Sequence, residues 1–125
     1  MQTYWPTFPG YQSTKLAWKV DKLNILEIGI WNGSSLKLWN DFFPNATIYA
    51  IDIENNITVE LGPRINIIIG NAYSDEMINF IASQNIKFDI IIDDGSHRIQ
   101  DQIKSFNLFY PKLKDDGVYI IEDIR

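Results

Sequence analysis

Short apolar runs alternate with amphipathic segments along most of the chain. The apolar runs are rich in Ile and continuous, which is the pattern of parallel strands buried on both faces. Between them, leucine and aromatic residues recur at helical spacing. The runs predict strands over Asn24–Gly29, Thr47–Ile53, Ile65–Ile69, Phe88–Ile92 and Gly117–Ile121, and the amphipathic segments predict helices over Ser34–Phe43, Asp75–Gln84 and Arg98–Tyr110.

Particular residues mark the ends and faces of these helices. Pro44 ends the first predicted helix, because proline lacks the N–H that would continue it. Ser74 is suited to cap the second, and the acids that follow it favour the positive end of the helix dipole. The third predicted helix has an apolar face that consists of Ile99, Ile103, Phe106 and Tyr110.

Strands separated by amphipathic helices are typical of an α/β fold, in which helices cover both faces of a parallel sheet. Right-handed crossovers and a doubly wound topology lead us to expect five strands in the order 3-2-1-4-5. The whole chain, residues 1–125, is predicted to be one domain. It divides into an N-terminal arm over residues 1–22, with a short helix predicted over Gln12–Val20, and a core over residues 23–125.

Composition excludes several classes of protein. Apolar residues make up 46% and charged residues 22% of the chain, which is the balance of a globular protein. Because the chain has no cysteine, a catalytic thiol and a Cys-based zinc site are excluded. The net charge is −5 and the basic residues are scattered, so we expect no nucleic-acid partner. No stretch is apolar enough to span a bilayer or to serve as a signal peptide, so we expect a cytoplasmic protein without a membrane partner.

Polar residues cluster at the carboxyl ends of the predicted strands, which is where parallel α/β sheets bind their ligands. This shared location is the main functional signal in the sequence. The residues are Glu27, Gly29, Asp52, Asn71, Asp93, Asp94, His97, Glu122 and Asp123.

The first strand runs into a turn with the spacing Glu27-x-Gly29-x-x-x-Gly33. Glycine is needed where the backbone takes a positive φ or approaches a ligand closely. Asp52 ends the next strand, where it can accept hydrogen bonds from a ribose diol. The turn lacks the three glycines that hold a pyrophosphate, so it predicts a nucleoside ligand without phosphates. The alternatives are NAD binding, or a strand that simply ends at Gly29 with Asp52 as a solvated turn acid.

The run from Asp93 to His97 contains two acids and the chain's single histidine. Neutral imidazole is the usual general base near neutral pH. If strands four and five are neighbours, Asp94 can share a cation with Glu122 and Asp123, and an all-oxygen site suits Mg²⁺, Mn²⁺ or Ca²⁺. Both acids of the second pair reach one metal only where the backbone leaves regular strand geometry. The alternative is a set of ordinary acid-rich turns with His97 at a helix N-terminus.

Four motifs narrow the family: LEIGxxxGxSLxxW, FPxAxIxxIDI, DxIIDDGSH and GxYxIED. Together they cover roughly residues 23–124, and they resemble the metal-dependent sugar O-methyltransferases of macrolide biosynthesis, the mycinamicin and macrocin type. Relatives of that family are often labelled cephalosporin hydroxylase. The resemblance implies a class I, Rossmann-like, three-layer α/β/α fold that uses S-adenosylmethionine (SAM) and releases S-adenosylhomocysteine (SAH).

By position, the resemblance also implies residue roles. The metal ligands for Mg²⁺ would be Asp94, Glu122 and Asp123. The catalytic residues would be His97, as general base, and Asp94. The cofactor contacts would be Glu27, Gly29, Gly33, Ser34, Asp52, Asn71, Ala72 and Asp93. The family has an acid at the position of Asn71, and its run there is one residue shorter than the run in this chain.

The expected reaction is methyl transfer from SAM to a hydroxyl of a small-molecule or glycan acceptor, most simply a sugar. A divalent cation lowers the pKa of that hydroxyl and His97 takes its proton. The alternatives are a SAM-binding module without turnover, an NAD-binding Rossmann domain and a degenerate fragment of a longer gene. The intact His97 and its neighbouring acids favour the enzyme, because a binding module needs neither.

The family fold continues past the fifth strand into a helix and strands six and seven, so we expect a chain truncated after the fifth strand. The acceptor would then be held by the N-terminal arm or by a second subunit. The run Gly117–Ile121 would be an apolar edge strand without Lys or Pro to prevent pairing. We therefore expect a homo-oligomer with the fifth strand at or near the interface.

Overall fold

The computed structural model describes residues 22–95 and 98–122, which form a three-layer α/β/α sandwich. Five parallel strands lie in the order β3-β2-β1-β4-β5, which confirms the predicted topology. The strands are β1 (Asn24–Ile28), β2 (Thr47–Asp52), β3 (Ile65–Ile69), β4 (Phe88–Asp93) and β5 (Leu113–Ile121), and the helices are α1 (Ser34–Phe42), α2 (Asp75–Ser83) and α3 (Ile99–Phe109), with a 3-10 turn (Tyr110–Lys112) after α3. Residues 1–21 of the predicted N-terminal arm, including its short helix, lie outside the described residues. Among the described helices, none has the length and apolar character needed to cross a membrane.

The two faces of the sheet form separate apolar clusters, because successive residues of a strand point to opposite faces. One cluster lies under α1 and the other under α2 and α3. Every residue of β4 is buried, which explains why its isoleucines follow one another without alternation. The buried helical residues include Leu36 and Trp39 from α1, Met77 and Ile81 from α2, and Phe109 from α3.

Side chains close the ends of two helices. The guanidinium of Arg64 donates to the backbone carbonyls of Asn40 at 2.7 Å and Phe43 at 2.9 Å, at the C-terminal end of α1. The last carbonyls of a helix have no partner within it, so Arg64 supplies the missing donors. Ser74 caps α2 as predicted, since its Oγ accepts the backbone N–H of Met77 at 3.2 Å.

The last strand is longer than the sequence predicted. β5 begins at Leu113 rather than at Gly117, and its extra residues include two exposed aspartates. Aspartate is uncommon in strands, so local composition argued against this extension. A register shift between Phe88 and Ile90 of β4 accommodates the extra residues. An edge strand tolerates these charges because one of its sides faces solvent.

The apolar face predicted for the third helix is not the face that packs on the sheet. Its four residues are all exposed, with Ile103 56% and Tyr110 54% accessible, whereas α3 buries Gln102, Ser105 and Phe109. The reason is that the sheet under α3 presents polar side chains near the ends of β4 and β5. The hydroxyl of Ser105 lies 3.1 Å from that of Tyr119, so a small polar residue faces the sheet here.

Candidate cofactor and metal site

A cavity of about 610 Å³ opens at the carboxyl ends of the central strands. Its volume lies in the range of small-molecule sites, and its position is the one at which parallel sheets bind ligands. Predicted site residues that line it are Gly29, Asp52, Asn71, Ala72 and Asp94. Predicted site residues that are described but do not line it are Glu27, Gly33, Ser34, Asp93 and Glu122.

The turn after β1 requires its two glycines. Gly29 and Gly33 have φ angles of 87° and 90°, in the left-handed region. A Cβ on Gly29 would collide with the backbone carbonyl of Asp94, so the backbones of two strand ends touch here. The same glycine therefore shapes the cavity and joins the cofactor turn to the acidic turn after β4.

Asp52 accepts several backbone hydrogen bonds at the end of β2. Its Oδ2 accepts the N–H of Ile30 at 2.7 Å and of Trp31 at 3.1 Å, and its Oδ1 accepts the N–H of Glu54 at 3.2 Å. Burial alone would raise the pKa of Asp52, but these N–H groups outweigh it and hold the pKa below its usual value. Asp52 is thus a fixed anion at the wall of the cavity.

Trp31 is a cavity residue that sequence reasoning missed. It lines the cavity while 77% of its surface is accessible, and its φ of 53° lies in the left-handed region that bulky side chains rarely adopt. The two bonds from the turn to Asp52 hold it there. Its place between the two glycines was the one signal in the sequence that could have drawn attention to it.

Glu27 is a buried acid beneath the site. Only 2% of it is accessible, and its Oε2 has no hydrogen-bond partner among the described residues. Burial, opposed by a hydrogen bond from Ser35 and reinforced by the charges of Asp94 and Glu122, raises the pKa of Glu27 to about 8. Glu27 therefore holds its proton to a higher pH than an ordinary carboxyl group does.

Two of the predicted metal ligands come together. The backbone N–H of Glu122 donates to the carbonyl of Asp93 at 2.9 Å, which places Glu122 beside Asp94. Partial burial, the charge of Asp94 and a hydrogen bond with its carboxyl raise the pKa of Glu122. Within residues 22–95 and 98–122, no three His, Cys, Asp or Glu side chains are placed to hold a metal ion. The other predicted members of the set, His97 and Asp123, lie outside the described residues.

Comparisons with known proteins identify the family of the chain. A family model described as a methyltransferase domain matches residues 26–124. Demethylmacrocin O-methyltransferase of Streptomyces fradiae is 34% identical over 97% of this chain, and mycinamicin VI 2''-O-methyltransferase of Micromonospora griseorubida is 35% identical over 97%. This chain covers 32% of the length of each of these two relatives.

Solved structures give the same result. The MycE methyltransferase from the mycinamycin biosynthetic pathway, in complex with Mg, SAH and mycinamycin VI, is 35% identical to this chain and superposes with a TM-score of 0.78. The match covers 92% of this chain and 33% of that one. The match to the family model spans most of the chain, and the resemblance drawn from its motifs is confirmed. The chain belongs to the methyltransferase-domain family.

Proposed function

We propose that this chain is the cofactor-binding and catalytic part of a SAM-dependent O-methyltransferase that acts on a hydroxyl of a sugar or glycan. The observation that carries the proposal is the cavity walled by the glycine turn and the anionic Asp52. The relatives named above are, by their names, O-methyltransferases of demethylmacrocin and of mycinamicin VI, and the MycE structure is a complex with Mg, SAH and mycinamycin VI. We further propose a cytoplasmic location and a small-molecule or glycan acceptor, in line with the charge and composition of the chain.

The residues present fit a nucleoside cofactor. Gly29 lines the cavity without a side chain, so a ligand can approach its backbone closely there. Asp52 would accept the ribose hydroxyls, because it lines the cavity as an anion. Asn71 and Ala72, at the cavity wall after β3, would contact the adenine. Glu27, Gly33 and Ser34 support the turn from outside the cavity.

The donor set also fits a hard divalent cation. Asp94 and Glu122 bring carboxylate oxygens together. Burial first, and then the charge of Asp94, raise the pKa of Glu122, and a cation would relieve the repulsion between the two charges. Asp123 is the proposed third ligand. When bound, SAM supplies an electrophilic methyl group and the cation polarises the acceptor hydroxyl. Asp94 and the glycine turn orient the two reactants, and His97 takes the proton from the acceptor oxygen.

Ligand-induced stabilisation tests the cofactor assignment. SAH at a hundred times its dissociation constant adds about 2.7 kcal/mol to the free energy of unfolding, which raises Tm by several degrees in a domain of this size. NAD is the control ligand and is expected to leave Tm unchanged. A shift with NAD but not with SAH would contradict the proposal, and methyl transfer from labelled SAM to macrolide sugars, with and without Mg²⁺, tests the reaction itself.

We also propose that the chain forms a homo-oligomer through β5 and α3. β5 is an edge strand of the sheet, and Ile99, Ile103 and Phe106 form an apolar groove with Ile121 at the strand's end. Edges and apolar patches of this kind are usually covered. Sedimentation at micromolar concentration should give an oligomer, and Ile103→Asp should dissociate it. Leu38→Asp, at an equally exposed position on α1, is the control, and a monomeric wild type would contradict the proposal.

A further inference from the structure

Asp93 is a buried carboxylate directly beneath the acidic turn. Only 1% of it is accessible, and it does not line the cavity. Its Oδ1 accepts the backbone N–H of Gly95 at 3.3 Å and the hydroxyl of Tyr73 at 3.4 Å. Ser105 of α3 is a further hydrogen-bonding neighbour of the Asp93 carboxyl. A buried carboxylate is costly unless hydrogen bonds satisfy it, and here bonds that satisfy it come from the turn and from Tyr73.

The sheet itself holds the backbone only as far as Asp94. The N–H of Asp94 donates to the carbonyl of Ile28 at 2.8 Å, and the carbonyl of Asp93 accepts the N–H of Glu122 at 2.9 Å. At Gly95 the chain has left the strand ladder. The bond from Gly95 to the carboxylate of Asp93 is therefore the next constraint on the direction of the turn.

Tyr73 joins this buried carboxylate to the cavity. Its side chain lines the cavity, and a Cβ on Gly95 would lie only 2.8 Å from its hydroxyl. The N–H of Tyr73 donates to Oδ1 of Asn71 at 2.9 Å, which orders the loop that carries it. Tyr73 therefore touches the turn after β4 from the opposite wall of the site.

We propose that Asp93 and Tyr73 are positioning residues, which hold the Asp94–Gly95 turn where the carboxylate of Asp94 can bind a divalent cation. This role differs from the direct cofactor contact expected for Asp93 from sequence, and it rests on the proposed function. The chemistry needed from Asp93 is acceptance of the hydrogen bonds from Gly95 and Tyr73. An amide oxygen can supply that acceptance as well, whereas an alkyl side chain cannot.

Binding measurements on the whole chain test the proposal without an acceptor. The probes are Mn²⁺, followed by electron paramagnetic resonance, and SAH, followed by calorimetry. Tyr73→Phe and Asp93→Ala are expected to weaken Mn²⁺ binding by about 10- to 100-fold, the usual effect of losing an outer-shell partner. In Asp93→Ala, SAH affinity should change by less than threefold, because Asp93 does not line the cavity. Asp93→Asn should recover most of the Mn²⁺ affinity.

Tyr49→Phe is the matched control, because Tyr49 packs against Phe88 on the same side of the sheet and does not line the cavity. Tyr73→Phe keeps the ring and removes one oxygen, so this variant tests the proposal even if Asp93→Ala does not fold. Wild-type Mn²⁺ affinity in Tyr73→Phe would overturn the positioning role while the proposed function stands. A wild-type chain that binds neither SAH nor Mn²⁺ would overturn both, and one that binds SAH alone would overturn the cation site and the positioning role with it.

Discussion

The carboxylate of Asp52 accepts the backbone N–H of Ile30 at 2.7 Å, across the gap between the end of β2 and the turn after β1. One side chain thus holds the glycine turn and stays charged at the cavity wall. The bond also explains how Trp31, the next residue, is kept at a positive φ. Pre-organisation of this kind lowers the entropy that a ligand must lose to bind.

Asp52→Ala should weaken SAH binding, because it removes a charged acceptor and releases the turn. Hydrogen bonds to charged groups contribute about 1.5–3 kcal/mol, which corresponds to roughly a 10- to 100-fold rise in Kd. Calorimetric titration with SAH measures the Kd. Asp115→Ala, at an exposed position on β5, is the control and should bind as the wild type does. Equal affinity in both variants would remove Asp52 from the cofactor site.

Methyl transfer should require a divalent cation and His97. General-base catalysis contributes about 10²- to 10⁴-fold, so His97→Ala should lower the transfer rate by that factor and leave SAH affinity nearly intact. Asp94→Asn should have the effect of a chelator, because the amide keeps the shape of the side chain and loses its charge. The measurement is single-turnover transfer from labelled SAM. Full activity in excess EDTA would exclude the cation from the reaction.

The free energy of unfolding should fall as the pH rises from about 5 to 8, because of Glu27. Its pKa is about 8 in the folded chain and has a reference value of 4.5, so between these values the folded state holds a proton that the unfolded state has lost. The slope from this group is at most about 1.4 kcal/mol per pH unit. The raised pKa values of Asp93 and Glu122 act in the same direction.

Glu27→Gln mimics the protonated acid and should flatten this pH dependence. Urea unfolding at pH 5 and pH 8 measures it, with Glu76→Gln on the exposed first turn of α2 as the control. A wild-type slope retained in Glu27→Gln would show that another group is responsible.

Arg64→Met should destabilise the fold without touching the site. The variant leaves carbonyls at the end of α1 without their charged donor, at a cost of about 1.5–3 kcal/mol. Lys112→Met, in the 3-10 turn after α3, is a control for the loss of a basic side chain. Chemical denaturation measures the difference, and equal stability of the two variants would mean that water replaces the guanidinium at no cost.

The sequence by itself determined the α/β class, the five strands, the three described helices and the two-glycine turn. These features depend on local patterns, because a continuous apolar run indicates a strand buried on both faces wherever it lies in the chain. The serine cap at Ser74 and the strand order are also consequences of local chemistry and of general topological rules, and both are confirmed.

Only the tertiary structure decided which side of each element is buried and against what. The apolar stripe of α3 faces outward because the helix lies over polar groups at the ends of β4 and β5, which no periodicity within α3 reveals. Asp93 and Asp94 are adjacent in sequence, yet one is buried against Tyr73 and the other lines the cavity, because successive side chains at a strand end point in different directions. The burial of Glu27, and with it a pKa near 8, likewise depends on neighbours that are distant along the chain.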